Sequence, residues 1–127
     1  MFAKISRFIL AVATAAAILP GTVFGGELTG TWERGNGKAR IRFEPCGAEL
    51  CAVIAWIRPD VKKGKVGQTV FRKLKRTGDN SWTGEAFNPE DGRTYKGSVD
   101  LRDGKLHTKG CALAGLICKS DTWTQVN

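Results

Sequence analysis

Across 127 residues, 20 lysines and arginines face 12 aspartates and glutamates, a formal charge of +8 that argues against basic partners and for anionic ones. Four cysteines, Cys46, Cys51, Cys111 and Cys118, are an even number in a chain of one-domain size, which points to two disulfides rather than a reactive thiol. The longest apolar run, Phe8 to Leu19, is twelve residues against the roughly 20 of a spanning helix, so no transmembrane span is expected.

Lys4 and Arg7 precede that run, and Pro20 and Gly21 follow it, with small residues up to Gly25. This is the pattern of a signal peptide over residues 1–25, so the protein is expected to be periplasmic or secreted. Removing 25 residues from 127 leaves 102, Gly26 to Asn127, as a single domain, and the loss of Lys4 and Arg7 lowers the charge by two, to +6.

In the exported part the first strand alternates Leu28, Gly30 and Trp32 with Thr29, Thr31 and Glu33, and Asn36-Gly37 is a turn signal. Arg40, Arg42 and Glu44 then alternate with Ile41 and Phe43, a strand with one wet face. Cys46 and Cys51 bracket a short turn, and Cys51 to Ile57 is apolar on both faces, which predicts cover on both sides. Arg58 to Gln68 mixes breakers with charge and reads as an exposed, mobile loop. In Thr69 to Arg76, Val70 and Leu74 share a side with Arg72 between them, which would put Arg72 at a barrel mouth or inward beside a partner.

Ser81 to Phe87 sets Trp82, Gly84 and Ala86 on one face, with Gly84 a candidate bend. Asn88-Pro89-Glu90-Asp91-Gly92 is a turn with a reason at each position. Thr94 to Leu101 alternates cleanly, Asp103-Gly104 makes a hairpin into Lys105 to Cys111, and Ala112 to Ile117 is an apolar loop before a last strand, Asp121 to Val126, carrying Trp123. About eight strands in regular succession, without a helical period of ten residues, predict an all-β fold: a small up-and-down antiparallel β-barrel whose closure hides its edges.

Four cysteines allow three pairings. Loop entropy favours a long link, about 4 kcal/mol for Cys46 with Cys118 against about 2 kcal/mol for either short loop. Facing strands, however, bring Cys46 to Cys51 and Cys111 to Cys118 within bridging distance, and that pairing is expected. A four-cysteine zinc site is the rival, but C-x4-C and C-x6-C are poor spacings for a zinc ribbon, and export disfavours it.

Three blocks, GTWERGNGKARIRFEPCGAELCAVIAWI, WTGEAFNPEDGRTYKGSV and KGCALAGLICKSDTWTQV, resemble the secreted bacterial family known as domain of unknown function 2147. The resemblance spans essentially the whole exported chain and implies a lipocalin-like, or calycin, barrel; Gly30-Thr31-Trp32 is similar to the lipocalin G-x-W. The chain departs from the family pattern at Arg58 to Arg76, which is shorter and basic here, and at Gln125, which stands where the family carries an arginine. The family brings no established activity.

For function, the basic stretch Arg58, Lys62, Lys63, Lys65, Arg72, Lys73, Lys75 and Arg76 suggests a face for an anionic partner such as envelope lipid or acidic polysaccharide. Nucleic acid is disfavoured, because only Phe71 interrupts those charges with an aromatic. The bland reading is an edge strand protected by lysines. Trp32, Trp56, Trp82 and Tyr95 are candidate walls for a small apolar ligand, although a chain of about 100 residues is expected to fill its interior with them. His107 is the only histidine and falls out of phase with Leu106, and the serines lie in no nucleophile motif, so no enzyme is expected. Glu90 and Asp91 are explained by their turn, and neither cofactor nor metal is called for.

Overall fold

The computed structural model describes residues 27–126. The expected leader, residues 1–25, lies outside them. Eight strands follow one another: β1 (Gly30–Glu33), β2 (Ala39–Cys46), β3 (Glu49–Ile57), β4 (Thr69–Gly78), β5 (Ser81–Asn88), β6 (Arg93–Arg102), β7 (Lys105–Ala112) and β8 (Ile117–Val126). Each pairs antiparallel with the next, and β8 returns to β1 with Trp32 opposite Gln125, so the sheet closes as the all-β up-and-down barrel expected from the alternation. Both short-range disulfides are formed, Cys46–Cys51 across β2 and β3 and Cys111–Cys118 across β7 and β8. Among the described residues no helix is long and apolar enough to cross a membrane.

The two ends of the barrel differ. At the end carrying the β2–β3, β4–β5 and β6–β7 turns, the interior is solid: Leu28, Trp32, Leu74, Trp82, Val99 and Leu106 are almost fully buried. The segment before β1 helps to seal it. Trp32 Nε1 donates to the Leu28 carbonyl at 3.0 Å, while Glu27 pairs with Arg76 at 2.9 Å and Arg76 lies 4.7 Å over the Trp82 ring. Above this plug stand Phe43, Phe71 and Trp123, with ring centroids 5.7, 6.0 and 6.2 Å apart, in the range where aromatic pairs attract. Gly97 leaves the room that Phe71 occupies, since a Cβ there would lie 3.1 Å from its ring and 2.9 Å from Ala86 Cβ.

Two register shifts decide which side chains face in. Between β2 and β3, Arg40 faces Trp56 but Ile41 faces Ile54, leaving Ala55 as the extra residue of a bulge. Simple alternation from Ala52 and Ile54 would carry Trp56 inward; the bulge sends it outward instead, 37% exposed with Arg40 5.1 Å over its ring. The outer face of β3 is therefore half-exposed at Val53 and Ala55, not covered as the apolar sequence suggested.

Between β4 and β5, Arg72 faces Glu85 and Lys75 faces Thr83, so Lys73 and Leu74 oppose Gly84 alone. Lys73 takes a φ of 58°, and this bulge turns Phe71 and Leu74 inward and Arg72 outward. Arg72 thus sits on the outer face beside Glu85, neither at the mouth nor inside. Asp103 and Gly104, with φ of 55° and 72°, form the left-handed two-residue turn that their sequence signals.

Gly84 is the tightest point of the wall: a Cβ there would lie 2.6 Å from the carbonyl oxygens of both Arg72 and Lys73. Backbone cannot yield as a flexible side chain can. Gly84→Ala is expected to destabilise the barrel by roughly 2 kcal/mol or more, read as a lowered urea midpoint. An unchanged midpoint would refute the close approach.

Candidate functional site

At the other end the barrel is hollow. A cavity of about 610 Å³ opens between the β1–β2, β3–β4, β5–β6 and β7–β8 connections. Its floor is Phe71 and Trp123, its walls include Ile41, Ile54, Ile57 and Val70, and the inward positions nearer the mouth are small: Ala39, Ala86, Thr108, Gly110 and Ala112. Small residues there leave the space that tryptophan and leucine fill at the closed end. The expectation of a filled interior is therefore corrected: the closed end is filled and the mouth end is hollow.

Of the four aromatics expected on a wall, Tyr95 lines the cavity. Trp32 and Trp82 belong to the plug, and Trp56 is outside because of the Ala55 bulge. Trp123 and Phe71 take the wall roles instead. The phase of β8, with Asp121, Trp123 and Gln125 on one side, was the available signal for Trp123; the bulge that turns Phe71 inward leaves none in sequence.

The β3–β4 loop is tied down more than its composition suggests. Gly67 N donates to Ile54 O at 2.8 Å, Ile54 N donates to Gln68 O at 2.9 Å, and Val61 reaches the cavity. Gly64, with a φ of 105°, passes so close that a Cβ would be 3.1 Å from Ile57 Cδ1. The loop thus forms part of the cavity's rim.

The eight basic candidates fall into two groups. Arg72, Lys73, Lys75 and Arg76 belong to β4, and each has a carboxylate: Glu85 at 3.0 and 3.8 Å, Glu49 at 3.5 Å and Glu27 at 2.9 Å. Arg58, Lys62, Lys63 and Lys65 belong to the loop at the mouth, where Arg58 is held by Asp60 at 2.6 Å. That contact lowers the Asp60 carboxyl below its usual range and raises the Arg58 guanidinium. Arg34, Lys38, Arg93 and Lys119, which the sequence reading passed over, join the rim.

Arg34 pairs with Asp121 at 3.9 Å and Lys38 with Glu90 at 3.6 Å. Lys63 Nζ donates to the Glu90 carbonyl at 3.3 Å. Among the described residues, Lys62, Lys63, Lys65, Arg93 and Lys119 have no carboxylate in ion-pairing range. Asp121 is already engaged, accepting from Trp123 Nε1 at 2.8 Å and from Gly35 N at 3.2 Å. The mouth therefore combines an apolar interior with a surplus of positive charge. His107 is remote from it, on the outer side of β7 with Nδ1 3.4 Å from Thr122 Oγ1.

The sequence pattern of a family described as an uncharacterized protein conserved in bacteria (DUF2147) matches residues 30–125. A Helicobacter pylori protein described as belonging to the lipocalin family has a solved structure similar to this one, with a TM-score of 0.65 over 79% of this chain and 83% of that one, at 20% identity. A likeness at that identity is one of fold. No curated protein matches in sequence.

Tyr95 is the only tyrosine in the chain, and its hydroxyl donates to Asp91 Oδ2 at the cavity rim. The hydrogen bond holds the Asp91 carboxyl below the usual carboxylate range, with Arg93 and Lys119 adding to the effect, and pushes the Tyr95 phenol up. A phenol raised on folding contributes stability below its ordinary pKa near 10 and loses it as pH climbs through the folded value. Ultraviolet titration of the phenol is expected to give a midpoint above 10 that Asp91→Asn returns toward 10. Identical midpoints in the two proteins would refute the contact.

Proposed function

We propose, for a chain that belongs to this uncharacterized bacterial family and so inherits no activity from it, that the barrel is a non-catalytic carrier of small amphipathic molecules with an anionic head, working outside the cytoplasm. The observation that carries this reading is a cavity of about 610 Å³ with an aromatic floor beneath a rim on which cations outnumber carboxylates, with Lys63, Arg93 and Lys119 outside ion-pairing range of any carboxylate among the described residues. A volume of that order suits a small ligand, and pockets of this kind use apolar walls for affinity and a few polar groups for orientation. The apolar body would rest on Ile54, Val70, Phe71 and Trp123, and the head would meet Lys63, Arg93 and Lys119.

The rival reading, a large anionic partner held along the whole basic stretch, has less behind it. The β4 half of that stretch is matched by Glu85, Glu49 and Glu27, so its net field is small. Action outside the cytoplasm is supported by two disulfides, which persist in oxidising compartments, and by the leader-like residues 1–25.

Tryptophan emission followed during a dodecanoate titration is expected to change saturably, and Trp123→Phe to remove most of the change. Dodecanol, with the same chain and no charge, is expected to bind about three- to ten-fold more weakly, as one or two half-screened charge contacts would give. Arg93→Glu combined with Lys119→Glu should erase that preference. If neither dodecanoate nor palmitate gives a saturable signal, the carrier reading fails; equal affinity for acid and alcohol removes the anionic head.

A further inference from the structure

The β7–β8 connection presents an exposed apolar tip beside the cavity mouth. Leu113, Leu116 and Ile117 are 65%, 84% and 54% exposed. Three successive residues, Leu113, Ala114 and Gly115, have φ of 54°, 55° and 90°, a left-handed run that suits glycine but not the first two. Leu116 N donates back to Leu113 O at 3.1 Å, and the Cys111–Cys118 disulfide closes the loop at its base. Leu113 and Ile117 border the cavity mouth, and Leu116 stands clear of it. In the β3–β4 loop, at the same end, Val66 is 64% exposed and follows Lys65, with Lys62 three residues earlier.

We infer that this end of the barrel docks on an anionic phospholipid bilayer, with Leu113, Leu116, Ile117 and Val66 entering the head-group boundary and Lys62 and Lys65 meeting lipid phosphates. Charge complementarity selects this occupant. The apolar tips stand on an end with cations in excess of carboxylates, and a bilayer offers hydrocarbon depth and negative charge together. Neither contribution is large alone: a few apolar side chains or a few lysines give weak, reversible attachment, and the combination gives measurable binding that falls with salt. The inference rests on the carrier reading in one respect, that a mouth set against the bilayer lets an amphipathic ligand pass without crossing water.

The test is sedimentation of the full exported chain with phosphatidylcholine vesicles, with and without a minority of phosphatidylglycerol, with no ligand added. Binding is expected to the anionic vesicles only, to weaken as salt rises, and to fall about ten-fold in Leu116→Asp and in the Lys62→Glu, Lys65→Glu double variant. Leu116 does not line the cavity and is largely exposed, so Leu116→Asp should keep both its melting temperature and its dodecanoate affinity. The inference is overturned by equal binding to both vesicle types, by binding to neither, or by undiminished binding of Leu116→Asp. It is equally overturned by self-association that Leu116→Asp abolishes while vesicles are ignored, which would assign the tip to a second copy of the chain. Vesicle binding without dodecanoate binding would overturn the carrier and leave the docking surface standing, and the converse would do the opposite.

Discussion

The packing of Phe43, Phe71 and Trp123 across the middle of the barrel is the contact on which the rest depends. Eight strands enclose an interior wide enough for a layer of side chains or for one small ligand, but not for both at the same height. The aromatic layer divides the height. Below it Trp32, Trp82, Leu74 and Leu106 are almost fully buried and carry much of the barrel's packing. Above it the walls of Ile41, Ile54, Ile57 and Val70 are joined by alanine, glycine and threonine, so a void can persist without loosening the packed end. With Trp32 and Trp82 at one end and most of the small inward residues at the other, a chain this short can be both packed and hollow.

Charge is paired on one wall and less so at the mouth. On β4 the basic residues Arg72, Lys73 and Lys75 face outward and find carboxylates on neighbouring strands, Glu49 from β3 and Glu85 from β5. Such exposed pairs contribute little stability individually. Their consequence is electrostatic: they cancel much of the field along β4. At the mouth, Lys62, Lys63 and Lys65 come from one lysine-rich loop and lack such partners among the described residues. Arg34, Lys38, Arg93 and Lys119 come to its rim from separate connections, which only the closed topology brings together.

The strands, their order and both disulfides were legible because each rests on local signals: period-two alternation, turn dipeptides such as Asp103-Gly104, and cysteines flanking short connections. The candidate site was far less so. Bulges at Ala55 and at Lys73 each shift the phase by one residue, and a single shift exchanges inside for outside along the rest of the strand. This is why Trp56, in phase with Ile54 by sequence, lies outside, and why Phe71 rather than Arg72 faces in. Trp32 and Trp82 were rightly expected to face inward, but depth along the axis comes from how far each residue lies from its turn in the folded register, which alternation does not measure. Gly84 is the instructive exception. An isolated glycine within a strand pattern did mark the bend, because the bulged backbone opposite leaves no room for a Cβ.

The disulfide at the mouth has a different role from its counterpart at the closed end. Cys46–Cys51 secures a turn of polar and small residues beside a packed interior. Cys111–Cys118 secures a loop that is unfavourable twice over: Leu113 and Ala114 hold left-handed conformations that cost about 1 kcal/mol or more each, and Leu116 and Ile117 leave apolar surface in water. Closing so short a loop contributes about 2 kcal/mol by restricting the unfolded chain, the same order as the backbone strain. Selection for stability alone would place glycine or asparagine at the left-handed positions and polar side chains at the tip. Neither is present, and the cross-link offsets the arrangement rather than removing it. The loop's conformation and its exposed leucines therefore act as one feature, and that feature stands at the same end as Lys62, Lys63, Lys65 and the opening of the cavity.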